Sequence, residues 1–249
     1  MSYPTRSITI LCSALMASCA SRVAAPAAVE TGLTPDAVYA AVRRQEAEVQ
    51  TLRARFSARV VRTGQARRAD GVLLVKKPDR FRLRLLSPFG LTVFDYTSWD
   101  SHDRMLLPLE GKQFSDAEIA EHSPFSPADM RAVFLGAADD GGAHCNAQGG
   151  GTETVVDCRH PDGAPARLIR IQTASRTVAQ EIRLVAGQPQ VIMQFGDYRP
   201  VESVQLPFKI DLTYPDKGVH LEIAVRSYEM NPSLPDSLFD APEPSGASS

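Results

Sequence analysis

The stretch Arg80-Phe81-Arg82-Leu83-Arg84-Leu85 alternates charge and hydrocarbon at every step, and this period of two constrains the chain more than any other feature. Successive side chains of an extended strand point to opposite faces, so a segment written this way buries one face and wets the other. The pattern also sets Phe56, Ala58 and Val60 against Ser57, Arg59 and Val61, and it runs through Val72 and Leu74 ahead of a turn at Lys76-Lys77-Pro78-Asp79. It returns over 91–96, 105–109, 152–158, 168–172, 177–185, 190–195, 208–214 and 219–226. That predicts about ten or eleven half-buried antiparallel strands joined by hairpins. A sheet that wide has to curl. The expected fold is therefore mainly β with helices (α+β): a half-open antiparallel β-barrel covered by short helices.

Three helix starts interrupt the alternation. Thr34-Pro35-Asp36 supplies a capping hydroxyl, a proline at the first helical position and an acid where the helix dipole favours it. Val38, Val42, Val49 and Leu52 keep helical spacing, so this helix is expected to run to about Leu52 and lie on the sheet through one stripe. Phe114-Ser115-Asp116 opens a shorter helical piece, and Ser126-Pro127-Ala128-Asp129 opens another that ends at Phe134-Leu135-Gly136.

The amino terminus reads as an export signal. Arg6 precedes an apolar run from Ile8 to Ala17 that is about half the ~20 residues a spanning helix requires. Its end, Leu15-Met16-Ala17-Ser18-Cys19, resembles a bacterial lipobox with Met16 in place of the usual leucine, so Cys19 is the expected site of acylation. Ala20 is not the aspartate that, by resemblance to enteric lipoproteins, retains them in the inner membrane. The expected location is the outer membrane, lipid-anchored and facing the periplasm. The resulting organisation is a signal peptide over 1–18, a tether over 19–33, a folded domain over 34–230, and a carboxy-terminal extension with a disordered tail over 231–249. Fully extended, the tether reaches roughly 50 Å.

Cys145 and Cys158 remain once Cys12 leaves with the signal and Cys19 is acylated. With twelve residues between them, in an oxidising compartment, they are expected to form a disulfide. A zinc site built with the flanking His144 and His160 is the alternative, although the spacing fits no common zinc module. A net charge of -2 with intermingled signs leaves no basic stripe for nucleic acid. There is no Gly-x-Ser-x-Gly, no His-Glu-x-x-His and no phosphate-cradling loop, and Asp139-Asp140-Gly141-Gly142 lacks the further oxygens of a calcium loop. His102, His122, His144, His160 and His220 are scattered among polar neighbours. The expectation is a protein without catalysis or cofactor. Aromatics make up 7% of the chain, with Trp99 the single tryptophan, so either the helices or a ligand must fill so broad a sheet.

Three segments together resemble the outer-membrane receptor family of the lipoprotein-localisation pathway, within the LolA/LolB-like superfamily. They are Arg80 to Gly90 followed by Leu91 to Tyr96; Phe114 to Glu118 leading through Pro124-Phe125-Ser126 to Met130–Gly136; and Gln205-Leu206-Pro207-Phe208-Lys209-Ile210-Asp211-Leu212. The resemblance implies an apolar cavity that accepts acyl chains of lipoproteins from a soluble periplasmic carrier and releases them into the outer membrane. It places Phe89, between Pro88 and Gly90, where the family has an exposed leucine that inserts into lipid. Phe89 projecting and Phe89 folded back on the sheet are both open. Candidate cavity residues are Phe56, Val60, Val72, Leu74, Phe81, Leu83, Leu85, Ile210, Leu212, Leu221 and Ile223, with the choice of inward face left open because a slip of one residue reverses it. The Cys145/Cys158 pair and the extension from Asn231 are not receptor features. They keep two other readings in view: a lipoprotein for a different lipid or glycolipid, and an interaction module of envelope assembly.

Overall fold

The computed structural model describes residues 32–99, 102–115, 118–119, 129, 133–134 and 142–240. Cys19, most of the tether and the segment 241–249 lie outside these.

The chain opens with a helix, α1 (Pro35–Glu48), whose first turn is capped by Thr34 Oγ1 accepting from the Ala37 amide at 3.3 Å. It stops four residues before the predicted end. Asn231 causes this: its side-chain oxygen accepts from the Gln50 amide at 2.8 Å, and its side-chain nitrogen donates to the Glu48 carbonyl at 3.0 Å. Thr51 is thereby delivered into a strand, and Leu52 is buried as a strand residue instead of a helical one.

Thirteen strands follow: β1 (Thr51–Arg62), β2 (Gln65–Lys76), β3 (Arg80–Leu86), β4 (Thr92–Trp99), β5 (His102–Leu107), β6 (Lys112–Ser115), β7 (His144–Gly150), β8 (Glu153–Arg159), β9 (Pro165–Gln172), β10 (Thr177–Val185), β11 (Gln188–Val201), β12 (Val204–Tyr214) and β13 (Val219–Met230). They form one antiparallel sheet in the order β6-β5-β4-β3-β2-β1-β13-β12-β11-β10-β9-β8-β7. The expected count of about ten or eleven is thus corrected to thirteen among the described residues. The two missed strands, β6 and β7, are the two edges of the sheet. Lys112–Ser115 is short, and His144–Gly150 is polar with two glycines. An edge buries little: β6 turns in one aromatic, Phe114, and β7 alternates only through the small Cys145 and Ala147, too faint a pattern to reveal a strand.

The sheet is open, because β6 and β7 do not pair with each other. Three described residues between them, Ile119, Val133 and Phe134, are helical and buried against its inner face, and the Phe134 ring lies 5.7 Å from that of Phe56. Inward positions of β1–β3 and β11–β13 form the main core, including Leu73, Val75, Phe81, Met193, Ile210 and Leu212. At the other arm α1 packs Val38 and Val42 onto Val156, Cys158, Ile169 and Ile171. Beside that contact Cys145 and Cys158, directly opposite one another, form a disulfide that ties the edge strand β7 to β8. No group of three metal-ligating side chains occurs among the described residues.

The outer face is not bare. After β13 the chain turns back over β2 and β3, and Leu234 and Phe239 are buried against Leu74 with Val72 and Leu238 packed around them. Lys76 grips this strap through Asp236 at 2.6 Å, and Arg82 donates to the Leu238 carbonyl at 2.8 Å. Beneath it Arg82 and Asp95 form a largely buried bidentate pair, at 3.0 and 2.6 Å.

Gly71 fits one place in this packing, since it lies opposite Phe56 and a β-carbon there would run into the Phe56 ring. Gly71→Val should force that ring out of the core and lower unfolding stability by about 1–3 kcal/mol, the usual cost of overpacking. Urea denaturation checks this, and an unchanged midpoint would show that the ring has room to move.

Candidate functional site

At one end of the inner face the sheet carries a cavity of about 300 Å³ whose walls are almost wholly hydrocarbon. Phe56, Ala58 and Val60 of β1 line it together with Leu83 and Leu85 of β3, Phe94 of β4, and Leu221 and Ile223 of β13. Its cause is local. Ala58 and Ala69 are cross-strand neighbours on β1 and β2, both facing inward. Two methyl groups stand among Phe56, Leu83, Leu85, Leu221 and Ile223, and these larger neighbours surround space that the alanines do not fill. Arg67 and Arg68 stand at its margin and are the charged part of the lining.

The eleven candidate residues divide three ways. Phe56, Val60, Leu83, Leu85, Leu221 and Ile223 line the cavity. Phe81, Ile210 and Leu212 share its face but lie in the packed core, fully buried and away from the opening. Val72 and Leu74 point the other way, under the carboxy-terminal strap, and are corrected to outer-face residues. On β2 the run Val72-Leu73-Leu74-Val75 is apolar at four successive positions because both faces are covered there, so alternation could not tell Leu73 and Val75, the inward pair, from their neighbours. Ala58, Ala69, Val93 and Phe94 were not among the candidates. The signal that could have found the first two is a small residue at an inward position of each of two paired strands.

Beside the cavity, β3 and β4 are joined by Ser87-Pro88-Phe89-Gly90. The Ser87 amide donates to the Leu91 carbonyl at 2.8 Å and the Gly90 amide to the Ser87 carbonyl at 2.9 Å, with Gly90 at a φ of 79° that favours glycine. Held this way, Phe89 is 90% exposed. It has company: strand direction puts the turns bearing Leu91, Leu109 and Val185 at the same end of the sheet, and all three are exposed. Four large apolar side chains in water at one end of a sheet form a feature that hairpin turns do not need for folding.

The other arm of the inner face is charged, with a hollow of about 80 Å³ left beside α1. Arg183 reaches Asp129 at 2.9 Å and Glu181 at 3.2 Å, and Arg167 lies 3.8 Å from Glu181, all largely buried. Glu46 of α1 faces this group, paired with Arg43 at 3.1 Å, while the Lys77 ammonium donates to its backbone carbonyl. The Arg183 ion pair fixes the helical residue Asp129 onto the sheet, and the Lys77 hydrogen bond ties α1 to the turn between β2 and β3; the cavity lies on the apolar arm instead.

The sequence matches no family model and no curated protein sequence. Solved structures resemble it in fold. A DUF1329 family protein from Desulfovibrio piger superposes with a TM-score of 0.64 at 12% identity, over 83% of this chain and 97% of that one. A putative outer membrane lipoprotein-sorting protein domain from Vibrio parahaemolyticus gives 0.61 at 10% identity, over 82% and 94%. A LolA superfamily protein from Nitrosomonas europaea gives 0.60 at 10% identity, over 84% and 98%. At these identities the likeness is one of fold, and the class it defines is that of the open antiparallel sheet.

Burial pushes the Glu46 carboxyl from its ordinary 4.5 up to about 7, with Arg43 pulling the other way. In the unfolded chain it titrates at the ordinary value, so between about pH 4.5 and 7 the folded state holds the extra proton. Stability is therefore highest below this window and falls as pH rises through it. Glu46→Gln should remove the loss: relative to wild type, its urea midpoint should be higher at pH 8 than at pH 4.5. An advantage independent of pH would contradict the assignment.

Proposed function

We propose that this chain is an outer-membrane lipoprotein, anchored through Cys19 and facing the periplasm, that accepts acyl chains of lipoproteins from a soluble periplasmic carrier and passes them to the bilayer. The observation that carries the reading is the apolar cavity of about 300 Å³ opening beside the exposed Phe89 turn. A hydrocarbon-lined space recognises a chain without polar groups, and each methylene moved into it from water gains ~0.8 kcal/mol. Chain transfer between carrier, cavity and membrane core keeps that methylene apolar at every stage, so no nucleotide is needed to drive it. Phe89, Leu91 and Leu109 are placed to dip into lipid while the cavity next to them empties. The fold shared with a lipoprotein-sorting domain and a LolA superfamily protein supports the same reading.

A second reading is a different single-chain lipid as ligand. The cavity's volume favours it, since about 300 Å³ lies at the small end of ligand sites, ~300–1,000 Å³.

Transfer separates the two. The chain lacking Cys19, incubated with a carrier loaded with lipoprotein, should strip the cargo and deliver it to liposomes. Val60→Trp, which fills the cavity, should cut cargo acceptance at least tenfold. Phe89→Glu should leave acceptance intact and cut delivery at least tenfold. Cargo that stays on the carrier while extracted fatty acid still co-purifies with the chain would favour the second reading, and a Val60→Trp variant that accepts cargo normally would refute both. Labelling with radioactive palmitate should mark the full chain and not its Cys19→Ser variant; label in both would remove Cys19 as the anchor.

A further inference from the structure

The outer face of the sheet carries a second depression, of about 460 Å³, that the proposed transfer does not use. It lies on the other side of β1, β2 and β3 from the acyl cavity and beside the carboxy-terminal strap. Its floor is the half-buried Val72, and Leu238 of the strap forms one wall beside Leu74, which the strap covers. Register sets Arg55, Val72 and Arg84 in a row across three adjacent strands, so two arginines rise on either side of one valine. Strand spacing puts them about 10 Å apart at the backbone.

The other arginines around this depression have acidic partners. Arg53 meets Glu229 at 2.8 Å, Arg226 meets Asp70, and Arg82 holds Asp95 although Asp95 sits opposite Arg84 in register. Among the described residues no acidic group forms an ion pair with Arg55 or Arg84. Two guanidinium groups over a hydrocarbon floor repel each other, and a shared anion would turn that repulsion into two charge-assisted forks of hydrogen bonds.

We infer that this groove binds a small anionic amphiphile, its phosphate or carboxylate between Arg55 and Arg84 and its hydrocarbon on Val72 and Leu238. The volume is that of a small-molecule site. A protein partner is disfavoured because it needs roughly 800 Å² of matching surface, whereas here the flanking cations are already neutralised and the uncompensated charge is confined to one pair. The floor explains why the anion must carry a tail, and the pair explains why the tail must carry an anion.

Decyl phosphate below its micelle concentration, titrated calorimetrically into the purified chain, tests the assignment. One equivalent should bind, and the double variant Arg55→Gln/Arg84→Gln should bind at least tenfold more weakly while keeping the wild-type urea midpoint. The cavity-filled Val60→Trp variant should bind it as wild type does. That arm separates this groove from the acyl cavity, so failure here leaves the transfer reading standing and failure of transfer leaves this one standing. Equal affinity of the double variant would overturn the proposal. So would binding lost only in Val60→Trp, binding of inorganic phosphate as tight as that of decyl phosphate, or binding of an acidic peptide alone.

Discussion

The pairing of β1 with β13 holds this molecule together. Every other strand neighbour in the sheet is also a neighbour in sequence, so without this join the chain would be two separate meanders, β1 to β6 and β7 to β13. The pairing runs from Leu52 against Met230 to Arg62 against Val219, with one shift at Arg55/Phe56. It brings Ala58 beside Ile223 and Val60 beside Leu221, which makes one apolar face from the two halves of the chain. The apolar cavity is built across that seam. Asn231, just beyond β13, also ends α1, so the same junction sets where the helix stops. Contacts this distant in sequence close late and slowly, and folding of this chain should be limited by them.

What separates the cavity from the core beside it is side-chain size. Lower on the same face Leu52, Leu73, Val75 and Phe81 meet and are buried, and Phe134 comes down on Phe56. Higher up, Ala58 faces Ala69 and the space remains. Core packing ordinarily tolerates few voids, since atoms lining a gap lose their contacts outright. A hydrocarbon-walled gap kept at the end of the sheet where Phe89, Leu91, Leu109 and Val185 are exposed places two features that work against stability side by side. An occupant from lipid would relieve both.

Much of this was legible because a strand half-buried on one face writes its orientation into every second residue. Arg80 to Leu86 did so cleanly, and the disulfide followed from which cysteines remained. Where both faces are covered the code fails: Val72 to Val75 is apolar throughout because the strap from Leu234 to Phe239 lies on one side and the core on the other, and nothing local to β2 announces the strap. Where a face is covered through few or small side chains it fails again, as at β6 with Phe114 and at β7 with Cys145 and Ala147. The helix end was set by Asn231, far away in sequence. The cavity's cause, two alanines meeting across a strand pair, needs the register, which hydrophobic pattern alone does not supply.

The central claim is that an acyl chain occupies the space around Ala58 and Ala69. The methyl ester of a fatty acid, carrying a nitroxide near its methyl end and no anionic head for the Arg55/Arg84 groove, tests this by paramagnetic broadening in NMR spectra of methyl-labelled protein. The account predicts the strongest broadening at Leu85, Leu221 and Ile223 and the least at Val156 and Ile171 beneath α1. Sharp signals from the first three at saturating ester, or broadening of all five alike, would contradict it.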